Sequence, residues 1–194
     1  SSYSNNISPE ERQALQDLYD STDGSNWYNY GGWNFSNPDA NPCDEGWHGV
    51  YCSTDGSNSY YYGYNYYHVI ELFLSNNNLR GTIPSTIGQL SYLQYLYLYG
   101  NQLIGSIPST IGNLSSLYYL YLNDNLLIGT IPSTIGQIPY LYSLYLSNNR
   151  LTGIVPSSLC QMNDLWQLEF GGNLLECYPY CLRSSSLYSL LSLI

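Results

Sequence analysis

Lysine is absent from this chain, and its four basic residues are Arg12, Arg80, Arg150 and Arg183. Charged side chains make up only 9% of the 194 residues, and 14 acids against 4 bases leave a net charge of −10. Nucleic acid and anionic membrane surfaces both call for basic patches, so this balance argues against either as a partner. No apolar run approaches the roughly 20 residues a spanning helix requires, so no membrane insertion is expected. The motifs GxSxG, GxxxxGK[ST], HExxH and GxGxxG do not occur. With them go the usual frames for a nucleophile, a phosphate cradle or a metal-activated water. The stretch 20–26 looks faintly like a calcium loop but lacks the spacing and the closing glutamate of the twelve-residue pattern. No catalytic residue, metal or cofactor is expected. The chain opens on Ser1, without a methionine or a leader, and reads as processed or partial.

What is present is a repeat. Blocks of 24 residues begin at Val69, Leu93, Leu117, Leu141 and Leu165. Leu72, Leu96, Leu120, Leu144 and Leu168 recur in register, as do Leu74, Leu98, Leu122, Leu146 and Phe170. Asn77, Asn101, Asn125, Asn149 and Asn173 follow at the same interval. A fixed period of about 20–29 residues with this pattern marks a leucine-rich repeat solenoid. Alternating leucines point to one side of a short strand. The asparagine amides can both donate to and accept from buried backbone where the chain leaves the strand. Gly81, Gly105, Gly129 and Gly153 suit a second sharp bend. The prolines at 84, 108, 132 and 156 exclude a long helix from the outer wall. The expected fold is a right-handed horseshoe of the α/β class, mostly β. It has a parallel concave sheet, a convex side of extended segments and 3₁₀ turns, and an N-terminal helical cap. No single coil can bury its leucines alone, so stacking supplies the core.

The LxGxIP element of each coil resembles the plant-type subclass of leucine-rich repeat proteins. Trp47-His48-Gly49-Val50-Tyr51-Cys52 resembles the W-x-G-V-x-C strand of their N-terminal cap, and Cys177-Tyr178-Pro179-Tyr180-Cys181 resembles a CYPxC closing element. The resemblance covers nearly the whole chain. It implies an extracellular binding or scaffold module of the kind found in plant and protist cell-surface proteins, with Cys43 and Cys52 paired. The remaining cysteines leave alternatives open: Cys177 with Cys181, or Cys160 with either. A zinc site there lacks nitrogen ligands, since His48 and His68 lie at the other end.

Three parts are expected. Residues 1–68 form an N-terminal cap, 69–164 carry four 24-residue repeats, and 165–194 hold a degenerate fifth repeat and a closing cap. In the cap, 8–20 reads as a helix with Ser8 as N-cap, Pro9 in the first turn and Glu11 completing a capping box. Ala14, Leu15, Leu18 and Tyr19 give it an apolar face to cover the first coil. Trp27, Trp33 and Trp47 are candidate anchors of the loop-rich stretch that follows, and a strand over 47–52 carries the cap cysteine. Residues 53–68, with Tyr60, Tyr61, Tyr62, Tyr64, Tyr66 and Tyr67, read as a long hairpin loop.

Between the leucines, the strand residues face outward. Phe73, Tyr97, Tyr121, Tyr145 and Glu169 form a central column, flanked by Glu71, Tyr95, Tyr119, Ser143 and Gln167 on one side. Ser75, Tyr99, Asn123, Ser147 and Gly171 flank it on the other. Equivalent side chains on stacked strands lie about 4.8 Å apart, so the aromatics should form a continuous strip. Such a strip fits a platform for a protein or a glycan, or simply the β-propensity of tyrosine on a sheet. A second column, Thr86, Thr110, Thr134 and Ser158, lies on the convex side. It fits an ice-binding array or hydroxyls capping the 3₁₀ turns. Asn6, Asn34 and Asn113 head N-glycosylation sequons. The expected function is a non-enzymatic, secreted or cell-surface interaction glycoprotein with a protein partner, self or other, or a glycan. Few charges and an apolar tail over 187–194 favour self-association as a homo-oligomer or filament. The alternative is a receptor- or inhibitor-type ectodomain that recognises a ligand.

Overall fold

The computed structural model describes residues 7–53, 67–177 and 179. A six-stranded sheet runs in the order Val50–Cys52, Val69–Phe73, Tyr95–Tyr97, Tyr119–Tyr121, Ser143–Tyr145 and Gln167–Glu169. The first pair is antiparallel, and the remaining strands are parallel. Leu72, Leu96, Leu120, Leu144 and Leu168 are fully buried beneath it. On the opposite wall, 3₁₀ turns follow each Ile-Pro or Val-Pro pair, at Ser85–Gln89, Ser109–Asn113, Ser133–Gln137 and Ser157–Gln161. Leucines and isoleucines from both walls make one continuous core. Each buried side chain of this size contributes about 1.5–3 kcal/mol over leaving it exposed.

The asparagine row works as its position requires. Asn125 Nδ2 donates to the Leu98 carbonyl of the preceding coil (2.9 Å) and to Leu122 in its own coil (3.1 Å). Its Oδ1 accepts from the Leu103 N–H (3.0 Å). Asn101 and Asn149 repeat the pattern, so buried backbone is satisfied where the concave ladder ends. The four glycines expected at the second bend all have positive φ.

The outer segments are not merely extended. Arg80–Thr82 pairs with Gln102–Ile104, and Ile128–Gly129, Arg150–Ile154 and Leu174–Cys177 pair in turn, forming short parallel flank sheets. Their register differs from that of the concave sheet. Glu71 faces Tyr95, 24 positions later, whereas Arg80 faces Gln102, 22 positions later. Repeat-equivalent side chains therefore align on the concave face but run diagonally on the flank.

The cap is irregular. Its helix spans Pro9–Ser21 with the full Ser8–Glu11 capping box. It closes the first coil through Asp17, which accepts from the Thr86 hydroxyl (2.7 Å), and Ser21, which donates to the Thr82 carbonyl (2.9 Å). The strand expected over 47–52 is shorter, Val50–Cys52, because Gly49 turns at φ +77 with its carbonyl accepting from the Phe73 N–H at 2.8 Å. A Cβ there would collide with the Phe73 carbonyl. Trp27, Trp33 and Trp47 are buried and join Tyr19 and Phe35 in one aromatic cluster. Arg12 lies over Phe35 and Trp47 and donates to the carbonyls of Asn37 and Ala40. Cys43 and Cys52 are bridged, with their Cα atoms 5.5 Å apart. Cys160 is also disulfide-bonded. With Cys43 and Cys52 already paired, a bridged Cys160 excludes the Cys177–Cys181 alternative. Cys181, the Tyr60–Tyr66 loop, Asn6 and the tail over 187–194 lie outside the described residues.

Candidate functional site

Alternation along each three-residue strand buries the leucine and turns its neighbours to the concave surface. Strand pairing then brings those neighbours into rows. Phe73 stacks on Tyr97 with ring centroids 4.7 Å apart and planes inclined by 14°. Tyr97 stacks on Tyr121 at 4.6 Å and 10°, and Tyr121 on Tyr145 at 4.5 Å and 8°. Near-parallel rings at this spacing are offset-stacked, with their faces partly overlapping, since rings lying side by side would sit farther apart. Tyr95 and Tyr119 stack in the neighbouring row at 5.1 Å and meet Tyr97 and Tyr121 edge-on. Tyr99 tilts against Tyr97 at 6.4 Å. All seven aromatic side chains are half-buried, each partly covered by its neighbours.

The residues at the rim of this ladder differ from expectation in two places. Ser143, expected on the surface, is fully buried; it donates to Gln167 Oε1 (3.1 Å), and its oxygen lies 3.4 Å from the Tyr121 hydroxyl. A serine between tyrosine rows is small enough to be covered by them. Tyr51 was not foreseen as part of the strip. It is 53% exposed, and its ring sits 5.4 Å from Phe73, so the strip continues onto the cap strand. The alternation of Val50 inward and Tyr51 outward was the available signal. Tyr92, Tyr118, Tyr140, Tyr142 and Trp166 are exposed along the sheet's edge. His68 stacks on Tyr92 at 3.6 Å, while its Nδ1 meets the buried Glu11 carboxylate at 3.3 Å.

Burial, reinforced by Tyr121, Tyr119, Tyr95 and Glu71, pushes the Tyr97 hydroxyl up to about 12 from 10.0. Tyr145 is also raised, first by burial and then by Glu169 and Tyr121, with the hydrogen bond to Ser143 opposing. Both tyrosines remain neutral across the ordinary pH range. Glu169 accepts from the Ser147 hydroxyl at 3.5 Å, and Tyr145 donates to Gln167 Oε1 at 3.3 Å. Glu71 and Glu169 are half-buried in rows at opposite ends of the strip. Four strand steps at about 4.8 Å place them far beyond the roughly 9.5 Å limit for a glycosidase pair.

The convex row behaves differently. Thr110 donates to the Ser85 carbonyl (2.6 Å), Thr134 to Ser109 (2.6 Å) and Ser158 to Ser133 (2.8 Å). The 3₁₀ turns have proline at the N-cap and no side-chain cap bond. Capping was the expectation, but the hydroxyls staple one coil to the one before it.

A repetitive scaffold that turns a shaped side-chain surface outward defines a recognition module. The leucine rich repeat family matches residues 67–127 and 115–175, and the leucine rich repeat N-terminal domain matches 8–53. The chain belongs to the leucine-rich repeat family. A chain in the BIR3–SERK2 complex from Arabidopsis thaliana is 35% identical, with 90% of this chain and 88% of that one covered and a TM-score of 0.74. The BIR2 ectodomain from Arabidopsis thaliana is 30% identical, with coverage of 93% and 88% and a TM-score of 0.74. The Arabidopsis receptor kinase HAESA, crystallised with the peptide hormone IDA and the co-receptor SERK1, is 27% identical; 87% of this chain and 30% of that one are covered, with a TM-score of 0.56. No curated protein matches the chain. This is a protein-interaction or ligand-binding domain of extracellular type, secreted or displayed at the cell surface. Among the described residues, no helix is long and apolar enough to cross a membrane.

Proposed function

We propose that this domain docks a protein or peptide partner on its concave strip, through Phe73, Tyr95, Tyr97, Tyr99, Tyr119, Tyr121 and Tyr145 with Glu169 at the end. The carrying observation is the offset stack of Phe73, Tyr97, Tyr121 and Tyr145. A sugar stacks on a free ring face, and within the column the facing sides of Phe73, Tyr97, Tyr121 and Tyr145 are turned to one another. Ring edges and hydroxyls remain, and these suit peptide groups, which offer donors, acceptors and small apolar side chains in alternation. The structure of HAESA with a peptide hormone, among the relatives, supports a peptide over a glycan. In this reading residues 1–68 act as one cap, 69–164 as four presenting coils, and 165–194 as a degenerate fifth repeat, which carries Glu169, with the closing cap.

The domain works as a glycoprotein in this reading. Asn34 and Asn113 are exposed, and Asn34 Oδ1 accepts from the Ser36 hydroxyl of its own sequon (2.6 Å). Intact mass before and after glycosidase checks this; a mass equal to the bare polypeptide removes it. The docking reading is tested with Tyr97→Ala plus Tyr121→Ala. Affinity for a captured partner should fall by about tenfold or more while the fold persists. Unchanged affinity would reduce the strip to sheet decoration. Size-exclusion at rising concentration decides whether the partner is a second copy.

A further inference from the structure

The ring stack has two ends, and they differ. At one end Phe73 meets Tyr51, with ring centroids 5.4 Å apart and planes inclined by 54°. Tyr145 has Tyr121 on one face, and the next position in its column is Glu169, not a ring. Among the described residues, no aromatic ring covers its other face. A ring face is electrostatically negative, and a carboxylate beside it adds to the attraction for a cation. Glu169 is steadied by Ser147, and Gln167 by Tyr145 and Ser143. At the opposite end of the strip, Glu71 stands in register beside Tyr95.

The surrounding charge has one sign. The concave rows and the turns that follow them carry Glu71, Asp124 and Glu169. The arginines are elsewhere: Arg12 is held in the cap, Arg80 and Arg150 lie on the flank strands, and Arg183 falls outside the described residues. The whole chain carries −10. Such a field draws a cation towards the strip and repels a second copy presenting the same face.

We propose that the partner segment is an extended, positively charged peptide, with one basic side chain over the face of Tyr145 turned towards Glu169 and a second at Glu71. This rests on the docking reading above and adds the partner's charge and spacing. Four strand steps and a two-residue shift along the strand separate the two carboxylates by about 20 Å. An extended chain rising about 3.3 Å per residue covers that distance in about six residues. The basic residues should therefore stand about six positions apart, with small or apolar residues between them over the tyrosine edges.

The test uses a displayed library of random linear peptides panned on the immobilised full chain. Enriched peptides should carry two Arg or Lys residues about six positions apart. A synthetic copy of one should bind the wild type with an affinity that falls as salt rises, and about tenfold more weakly to Glu169→Gln and to Glu71→Gln. Melting temperatures of the variants separate lost binding from lost folding, and the salt titration needs no variant. Enriched peptides without a basic pair that ignore both glutamate changes but lose binding to Tyr97→Ala plus Tyr121→Ala would overturn the charge inference and leave the docking reading standing. Peptides indifferent to the tyrosine changes, or no enrichment at all, would overturn both.

Discussion

The tyrosine row of the concave sheet and the threonine row of the convex wall repeat with the same 24-residue period, yet they use their hydroxyls differently. Thr134 donates along the surface to the Ser109 carbonyl one coil back. The Tyr97 and Tyr119 hydroxyls meet no protein acceptor among the described residues, while their rings stack along the sheet. The convex hydroxyls of Thr110, Thr134 and Ser158 donate their protons to carbonyls one coil back and so hold coils together. Periodicity alone therefore does not mark a site. What distinguishes the rows is that the convex hydroxyls from Thr86 to Ser158 are all satisfied within the fold, whereas those of Tyr97 and Tyr119 are not; Tyr145 donates to Gln167.

The core under both rows sets the upper end of the expected effects. Leu120→Ala opens a cavity between stacked coils and should cost about 2–5 kcal/mol, read from denaturant unfolding. A cost near zero would mean that Leu120 is not a core residue. Thr134→Val removes one coil-to-coil hydrogen bond and should cost about 0.5–1.5 kcal/mol. Tyr121→Phe removes an outward hydroxyl whose one hydrogen-bond contact among the described residues is the long 3.4 Å approach to Ser143, and should cost less than about 0.5 kcal/mol. A reversed order for the last two would erase the contrast between the rows.

Alkali probes the same contrast. Tyr97 titrates near 12 in the fold, above its usual 10.0. The native state therefore holds this proton where the unfolded chain releases it, and stability should fall as pH rises through the window from 10.0 to about 12. Below that window the contribution is fully present. Melting curves across the range should show Tyr97→Phe losing less stability than the wild type; an identical decline would place Tyr97 in a solvent-like setting.

Much of this was legible because repetition makes weak signals add. The leucine spacing gave the concave sheet, the asparagines its satisfied turns, and Ser8 with Glu11 the start of the helix. The strip's membership followed from alternation, but the offset stacking of its rings depends on side-chain angles that spacing does not encode. The flank sheets escaped notice because their register steps by 22, so no column of equivalent residues announces them. The cap was read least well, since its contacts never repeat. Glu11, placed by its capping role, also accepts from the Val69 N–H (3.0 Å) and meets His68, 57 residues away. Ser143 lies in an outward position and is buried only because large rings surround it.

The account rests on the concave row being the docking surface and the convex row being internal stitching. The most direct measurement compares one bound peptide or protein across three forms: the wild type, Tyr97→Ala plus Tyr121→Ala, and Thr110→Val plus Thr134→Val. The account predicts that the tyrosine changes weaken binding by about tenfold or more, while the threonine changes lower the melting temperature and leave binding unaltered. Binding lost from the threonine form at a temperature where it remains folded, and kept by the tyrosine form, would contradict it.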